Sequence, residues 1–184
     1  MRFPRPTHLV ICCQHAMDAQ RIKESLGKRL NKYRLSLNEE KTKLVSFSKQ
    51  AARAGQKQGT FDFLGFTFYL GRSQRGFVIP REKTSRKRFK AKLKRVNEWA
   101  KGARHKYRTL DLWKIFCAKL RGHIVYYSLS TNLPAVSAFQ RFATRIVFKW
   151  LNRRSQRRSF NWKKFEAFMG RFPLPEVKAY VKFY

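Results

Sequence analysis

The chain has 184 residues, enough for one ordinary domain or two small ones. Its 43 Lys and Arg stand against 10 Asp and Glu, a formal charge of +33, yet 43% of residues are apolar and 15% aromatic. That balance excludes a disordered basic tail and points to a folded body whose self-repulsion is relieved by a polyanion, with nucleic acid as the expected partner. No apolar run approaches a spanning helix and no signal-peptide pattern opens the chain, so no membrane partner is expected.

Residues 1–80 hold 15 basic and 5 acidic side chains, whereas residues 81–160 hold 23 and 3. The second segment carries twice the net charge over the same length, so the main binding surface is expected there. Cys12, Cys13 and Cys117 make neither a metal-ligand spacing nor an even disulfide set. They read as reduced, small core residues of a cytosolic-type compartment. The four histidines are scattered and suggest structural roles.

In chain order, a basic lead from Met1 to His8 runs into Leu9-Val10-Ile11-Cys12-Cys13, which predicts a buried strand. Ala19, Ile22, Leu26 and Leu30 keep helical spacing. A polar turn at Asn38-Glu39-Glu40 precedes Lys43 to Phe47, where Val45 and Phe47 alternate with polar residues as on a half-buried strand. Lys49 to Thr60 reads as a loop. Phe61 to Leu70 reads as a strand whose apolar pattern changes phase at Gly65, so the backbone is expected to bend there through an extra residue or a turn. Phe77-Val78-Ile79 is expected to return as a partner strand ended by Pro80.

From Lys83 the period becomes helical. Thr84 or Ser85 can cap a helix with the stripe Phe89, Leu93, Val96 and Ala100, surrounded by cations that include Arg86, Lys87, Lys90 and Lys94. Thr109 can cap a second helix buried through Trp113, Phe116, Leu120, Ile124 and Tyr127, with Arg121 among its basic residues. Pro134 marks the start of a third helix. On it Phe139, Phe142, Ile146 and Trp150 mark a buried side, and Arg141, Arg145, Lys149 and Arg153 recur every four residues as a cationic row. Arg154, Arg157 and Arg158 extend the charge, and from Ser130 to Asn161 there is no acidic residue. A solvated face would normally intersperse both signs; this one is expected to bind phosphate. Trp162, Phe165 and Phe168 form a last apolar pattern before Pro173-Leu174-Pro175.

Several segments resemble the reverse transcriptase/maturases encoded by group II introns. Leu37-Asn38-Glu39-Glu40-Lys41-Thr42-Lys43 resembles the late palm of that polymerase, with Lys41 on a palm-motif lysine. Phe63-Leu64-Gly65-Phe66 resembles its primer-grip turn; a structural bulge and a primer contact at Leu64, Gly65 and Phe66 are compatible readings. Leu120-Arg121-Gly122-His123, Tyr126-Tyr127 and Trp150 to Arg158 resemble the thumb, or maturase-specific X domain. The ordered set implies an α+β chain: residues 1–80 as an incomplete reverse-transcriptase palm of short antiparallel strands with one helix, and residues 81–184 as a basic three-helix thumb bundle with a C-terminal tail.

Where the family carries Tyr-x-Asp-Asp, this sequence carries Arg5-Pro6-Thr7-His8. Two-metal phosphoryl transfer needs carboxylates, so no catalytic residue, no metal site and no cofactor is expected here, although the family polymerase uses Mg2+. The resemblance therefore implies an RNA-binding maturase-type fragment in a cytoplasmic ribonucleoprotein, with group II intron RNA as partner and target DNA or a separate N-terminal reverse-transcriptase half as further ones. The alternatives left open are an RNA-directed DNA polymerase completed by a missing N-terminal half, and a decayed remnant. The bundle from about Lys83 to Phe172 is expected to be stable, and the segment before it weaker.

Overall fold

A computed structural model describes residues 8–154 and 161–181. Arg5, Pro6, Thr7, Arg157 and Arg158 lie outside the described residues. The described architecture is α+β, with six helices and a three-stranded antiparallel sheet. The chain divides into two compact units, residues 1–81 and 82–184.

In the first unit, α1 (Ala16–Lys32) follows from the helical spacing of Ala19, Ile22, Leu26 and Leu30, but none of its residues is buried. A short α2 (Lys49–Arg53), capped by the Ser48 side chain, stands where a loop was expected. The sheet has the order β1 (Phe61–Phe63), β2 (Phe66–Arg72), β3 (Val78–Thr84).

The phase switch at Gly65 resolves into a two-residue hairpin rather than a bulge within one strand. Leu64 has φ 48° and Gly65 φ 87°, and Phe63 pairs with Phe66 across the turn. Two successive positive φ values match the twist of an antiparallel pair. Glycine takes its angle without steric cost, and Leu64 takes its own with the side chain exposed. Phe61 stacks on its partner Phe68 at 5.2 Å, and Phe47 meets Phe61 edge-on at 5.8 Å.

Several expectations for this unit are corrected. Leu9 to Cys13 forms no strand, and Leu9 is 65% exposed. An apolar run pairs only where a sheet edge receives it, and the sheet begins at Phe61. Cys12 is accordingly exposed, and Cys13 and Cys117 are half-buried rather than core residues. Lys43 to Phe47 forms no strand; the Ser46 carbonyl accepts from the Gly59 N–H at 3.3 Å, and Phe47 packs on Phe61. Pro80 does not end its strand: β3 is an edge strand, where a missing N–H costs no ladder bond, and it continues to Thr84.

The second unit is a helical bundle. It contains α3 (Arg86–Lys106), α4 (Thr109–Tyr127), α5 (Leu133–Leu151) and α6 (Trp162–Arg171). Phe89 of α3 packs edge-on against Phe139 and Phe142 of α5, while farther along Asn97 bonds Trp150, so α3 and α5 run parallel. Between them α4 runs the opposite way: Lys92 of α3 meets His123, and Trp99 meets the earlier residue Phe116. Trp113, Phe116, Leu120, Ile124 and Tyr127 are all buried, as their spacing predicts. Phe142 is not: it is 40% exposed, because it faces the outer groove between α3 and α5. Thr109 is the first residue of α4 and not its cap, which is Arg108.

Residues following α6 return along the bundle. The Phe172 carbonyl accepts from the Trp113 indole at 2.9 Å, and the Pro175 carbonyl accepts from Gln140 at 2.7 Å. Tyr180 and Val181 bond the turn between α4 and α5 through Ser128 and Ser130. That same turn is fixed by Asn132, only 1% exposed. Its Oδ1 accepts from the Thr84 backbone N–H at 2.7 Å, and its Nδ2 donates to the Tyr127 carbonyl at 2.8 Å.

Replacing Asn132 by alanine strands the Thr84 N–H, while the Tyr127 carbonyl keeps its bond from the Leu129 N–H, and the loss is about 1–3 kcal/mol. Urea unfolding of Asn132→Ala, read at the bundle's tryptophans, is expected to show that loss. The first unit's buried apolar residues are Phe66 and Val78 alone among those described, against fifteen in the second. Limited trypsin digestion is therefore expected to leave a resistant fragment beginning near Glu82, and equal survival of both units would contradict this.

Candidate nucleic-acid interface

The parallel helices α3 and α5 each carry a bank of cations. At roughly 100° of turn per residue, Arg86, Lys90, Lys94 and Lys87 follow, in angular order, the α3 residues that face α5. Arg153, Lys149, Arg145 and Arg141 follow the α5 residues that face α3, turning the opposite way. Because α4 closes the inner side, Arg86, Lys90, Lys149 and Arg153 come nearest the outer α3–α5 groove, while Arg141 and Arg145 stand on the side of α5 turned toward α6. All eight side chains are exposed, and no salt bridge to any of them occurs among the described residues. Phe142 sits on the groove floor between the banks, with the Arg141 guanidinium 5.6 Å from its ring centre.

At the far end of the groove the cations gather round Trp150. Arg104, Arg153 and Lys149 lie 4.7, 5.3 and 5.5 Å from its ring, and its indole N–H donates to Asn97 Oδ1 at 2.8 Å. Arg153 stands in the turn beyond α5, so the cationic row outlasts its helix. The ring quadrupole offsets part of the mutual repulsion of these three charges. Arg104 was not singled out from the sequence, although it lies seven residues after Asn97 and therefore on the same face of α3.

Other expected contacts are placed differently. The Arg154 guanidinium donates to the Tyr107 carbonyl at 2.6 Å and to Thr109 Oγ1 at 2.9 Å, bracing the α3–α4 turn rather than facing solvent. Arg121 is exposed on α4, outside the two banks. Lys41 lies exposed in the turn begun by Asn38 in the first unit, and Leu64, Gly65 and Phe66 form the hairpin already described.

On the inner side of α3, Lys92 Nζ lies 3.4 Å from His123 Nδ1 and 4.4 Å from the Tyr127 ring centre. His123 also stacks on Phe139 at 3.7 Å, and its buried Nε2 has no partner. Burial, with the Lys92 charge second, pushes the His123 pKa down to about 3. Burial together with Arg88 and Arg95 lowers that of Lys92. Burial raises the Tyr127 phenol, with Tyr126 adding to it, and raises the Cys117 thiol against the opposing charge of Arg121. This is a neutral histidine wedged into the core between Phe139 and Lys92. Among the described residues no three His, Cys, Asp or Glu side chains group as metal ligands, and no helix is long and apolar enough to cross a membrane.

Compared with known proteins, the chain matches no protein-family model, no curated protein and no solved structure.

A histidine held neutral in the fold binds its proton more readily when unfolded. The stability it allows is complete above about pH 6.5 and is lost as the pH falls toward 3. Between pH 6.5 and 4.5 the unfolding free energy is expected to drop by up to about 1.4 kcal/mol per pH unit from this group. A pH series of denaturant melts on His123→Phe should show a flatter profile than the parent over that window.

Proposed function

We propose that the second unit grips structured RNA and that the chain acts as a maturase-type RNA-binding fragment, related to group II intron reverse transcriptases. In this reading residues 1–80 correspond to the end of the palm, residues 81–184 to the thumb or X domain, and intron RNA is the principal partner. Target DNA and a separate N-terminal half are further partners in the same reading, which places the protein in a ribonucleoprotein. One observation carries it: eight cations on the parallel helices α3 and α5 are exposed, with no carboxylate paired to any of them among the described residues.

Two rows of cations on parallel helices fit two tracks of phosphate better than a point ligand. Helical RNA is recognised largely through its backbone and shape, which such rows supply, while the resemblance of Leu120 to His123 and of Trp150 to Arg154 to the maturase thumb supports intron RNA over other polyanions. Sequence-independent affinity comes from counterion release, so the number of engaged phosphates is readable from salt dependence.

With all eight cations engaged, the slope of log K against log salt is expected near −6 to −7, and with the α5 row alone near −3. Fluorescence-anisotropy titrations of a group II intron domain and of an unrelated RNA duplex, at several salt concentrations, measure it. Arg145→Ala combined with Lys149→Ala should make the slope shallower by about 1.5. A flat salt curve would remove the RNA-binding reading, and equal affinity for both RNAs would remove the maturase part of it.

A further inference from the structure

Behind the α5 bank, on the side turned toward α6, lies a cavity of about 300 Å³. Its walls are mainly apolar and include Trp162 of α6 together with Met169 and Leu174, while Arg141 and Arg145 stand at it from α5. The volume lies at the small end of cavities that hold a planar small molecule. Thr144 also lines it, and this side chain is only 5% exposed with an Oγ1 that has no hydrogen-bond partner. A buried hydroxyl without a partner is costly, and in most helices it would bond the preceding turn. Here it is enclosed behind the cavity wall, without a partner among the described residues.

The Trp162 indole is held in place on one side. Phe148 meets it edge-on at 5.1 Å and Phe165 lies 5.8 Å away, yet Trp162 remains 44% exposed. A fixed, half-open aromatic face beside two unpaired guanidinium groups matches the way proteins hold unstacked bases: the ring takes the base and the cations take its phosphates. A free apolar ligand would leave both arginines without a role, and a bare phosphate would leave Trp162 and the apolar walls without one.

Resting on the RNA-binding reading above, we propose that this cavity accepts a single unpaired nucleobase of the bound RNA. Trp162 stacks on the base, and Arg141 and Arg145 hold the flanking phosphates. The two arginines then link helix and cavity, since they are exposed on α5 and stand at the mouth that receives the extruded nucleotide. The protein would select helices interrupted by a bulge over continuous ones.

The probe is an RNA hairpin with one unpaired 2-aminopurine in its stem, compared with the same stem fully paired and with an abasic bulge, all titrated with the full chain. The bulged hairpin is expected to bind roughly tenfold or more tightly than either control, with a change in 2-aminopurine emission as the base changes its stacking partner. Trp162→Ala should abolish the preference while leaving the salt slope on the paired stem unchanged. Trp162→Phe should keep most of the preference. Equal binding of all three RNAs with a steep salt slope would overturn the cavity proposal and leave the phosphate-gripping reading standing. Salt-insensitive or absent binding to every probe would overturn both.

Discussion

The second unit depends on an apolar seam strong enough to hold a cationic shell together. Residues 81–160 carry 23 basic and 3 acidic side chains, and most of the basic ones lie on the outside of α3, α4 and α5. Like charges at such density push helices apart, and exposed Glu98 and Asp111 offset only a small part of them. What opposes the push is burial: Trp113, Phe116, Phe139, Trp150 and Phe165 are each at least nine-tenths hidden, and aromatic side chains of this size contribute the most area per residue. The aromatic content of a basic chain is thus the condition on which its charge can be displayed at all.

The seam also sorts the cations by task. Arg154 is spent on the Tyr107 carbonyl and Thr109, and Lys92 is drawn inward over Tyr127 beside His123. Arg104, Arg153 and Lys149 share the Trp150 face. The members of the two banks, Arg153 and Lys149 included, are exposed and so positioned to exchange solvent for phosphate. Charge counted along the sequence overstates the interface, because it does not distinguish an arginine that braces a turn from one that waits for a ligand.

Sequence periodicity revealed the helices well and the strands poorly, for a physical reason. A helix closes its hydrogen bonds locally, so the stripe of Trp113, Phe116, Leu120, Ile124 and Tyr127 was enough to place α4 and its buried side. A strand exists only where another strand receives it. Leu9 to Cys13 has the composition of a buried strand but joins no sheet among the described residues, and Leu9 to Cys12 stay exposed. The turn at Leu64 and Gly65 was visible as a broken alternation, but whether an extra residue or a reversal broke it depended on pairing that only the fold shows. Phe142 misled because one helix stripe can face both a core and a groove. Thr144 left a fainter trace: it stands three residues before Val147 and seven before Leu151, a polar residue on a second buried stripe of α5.

The same charges make folding and binding answer salt in opposite directions. Added salt screens repulsion among the exposed cations and so favours the assembled bundle, whereas it weakens any RNA complex by reducing the gain from releasing counterions. A bound polyanion does both jobs at once: it neutralises the banks and, by binding only the assembled arrangement, stabilises it by mass action. Stability and affinity are then coupled through the groove itself. The parallel pairing of α3 with α5 brings the two banks together, and a phosphate track lying between them would in turn hold α3 against α5.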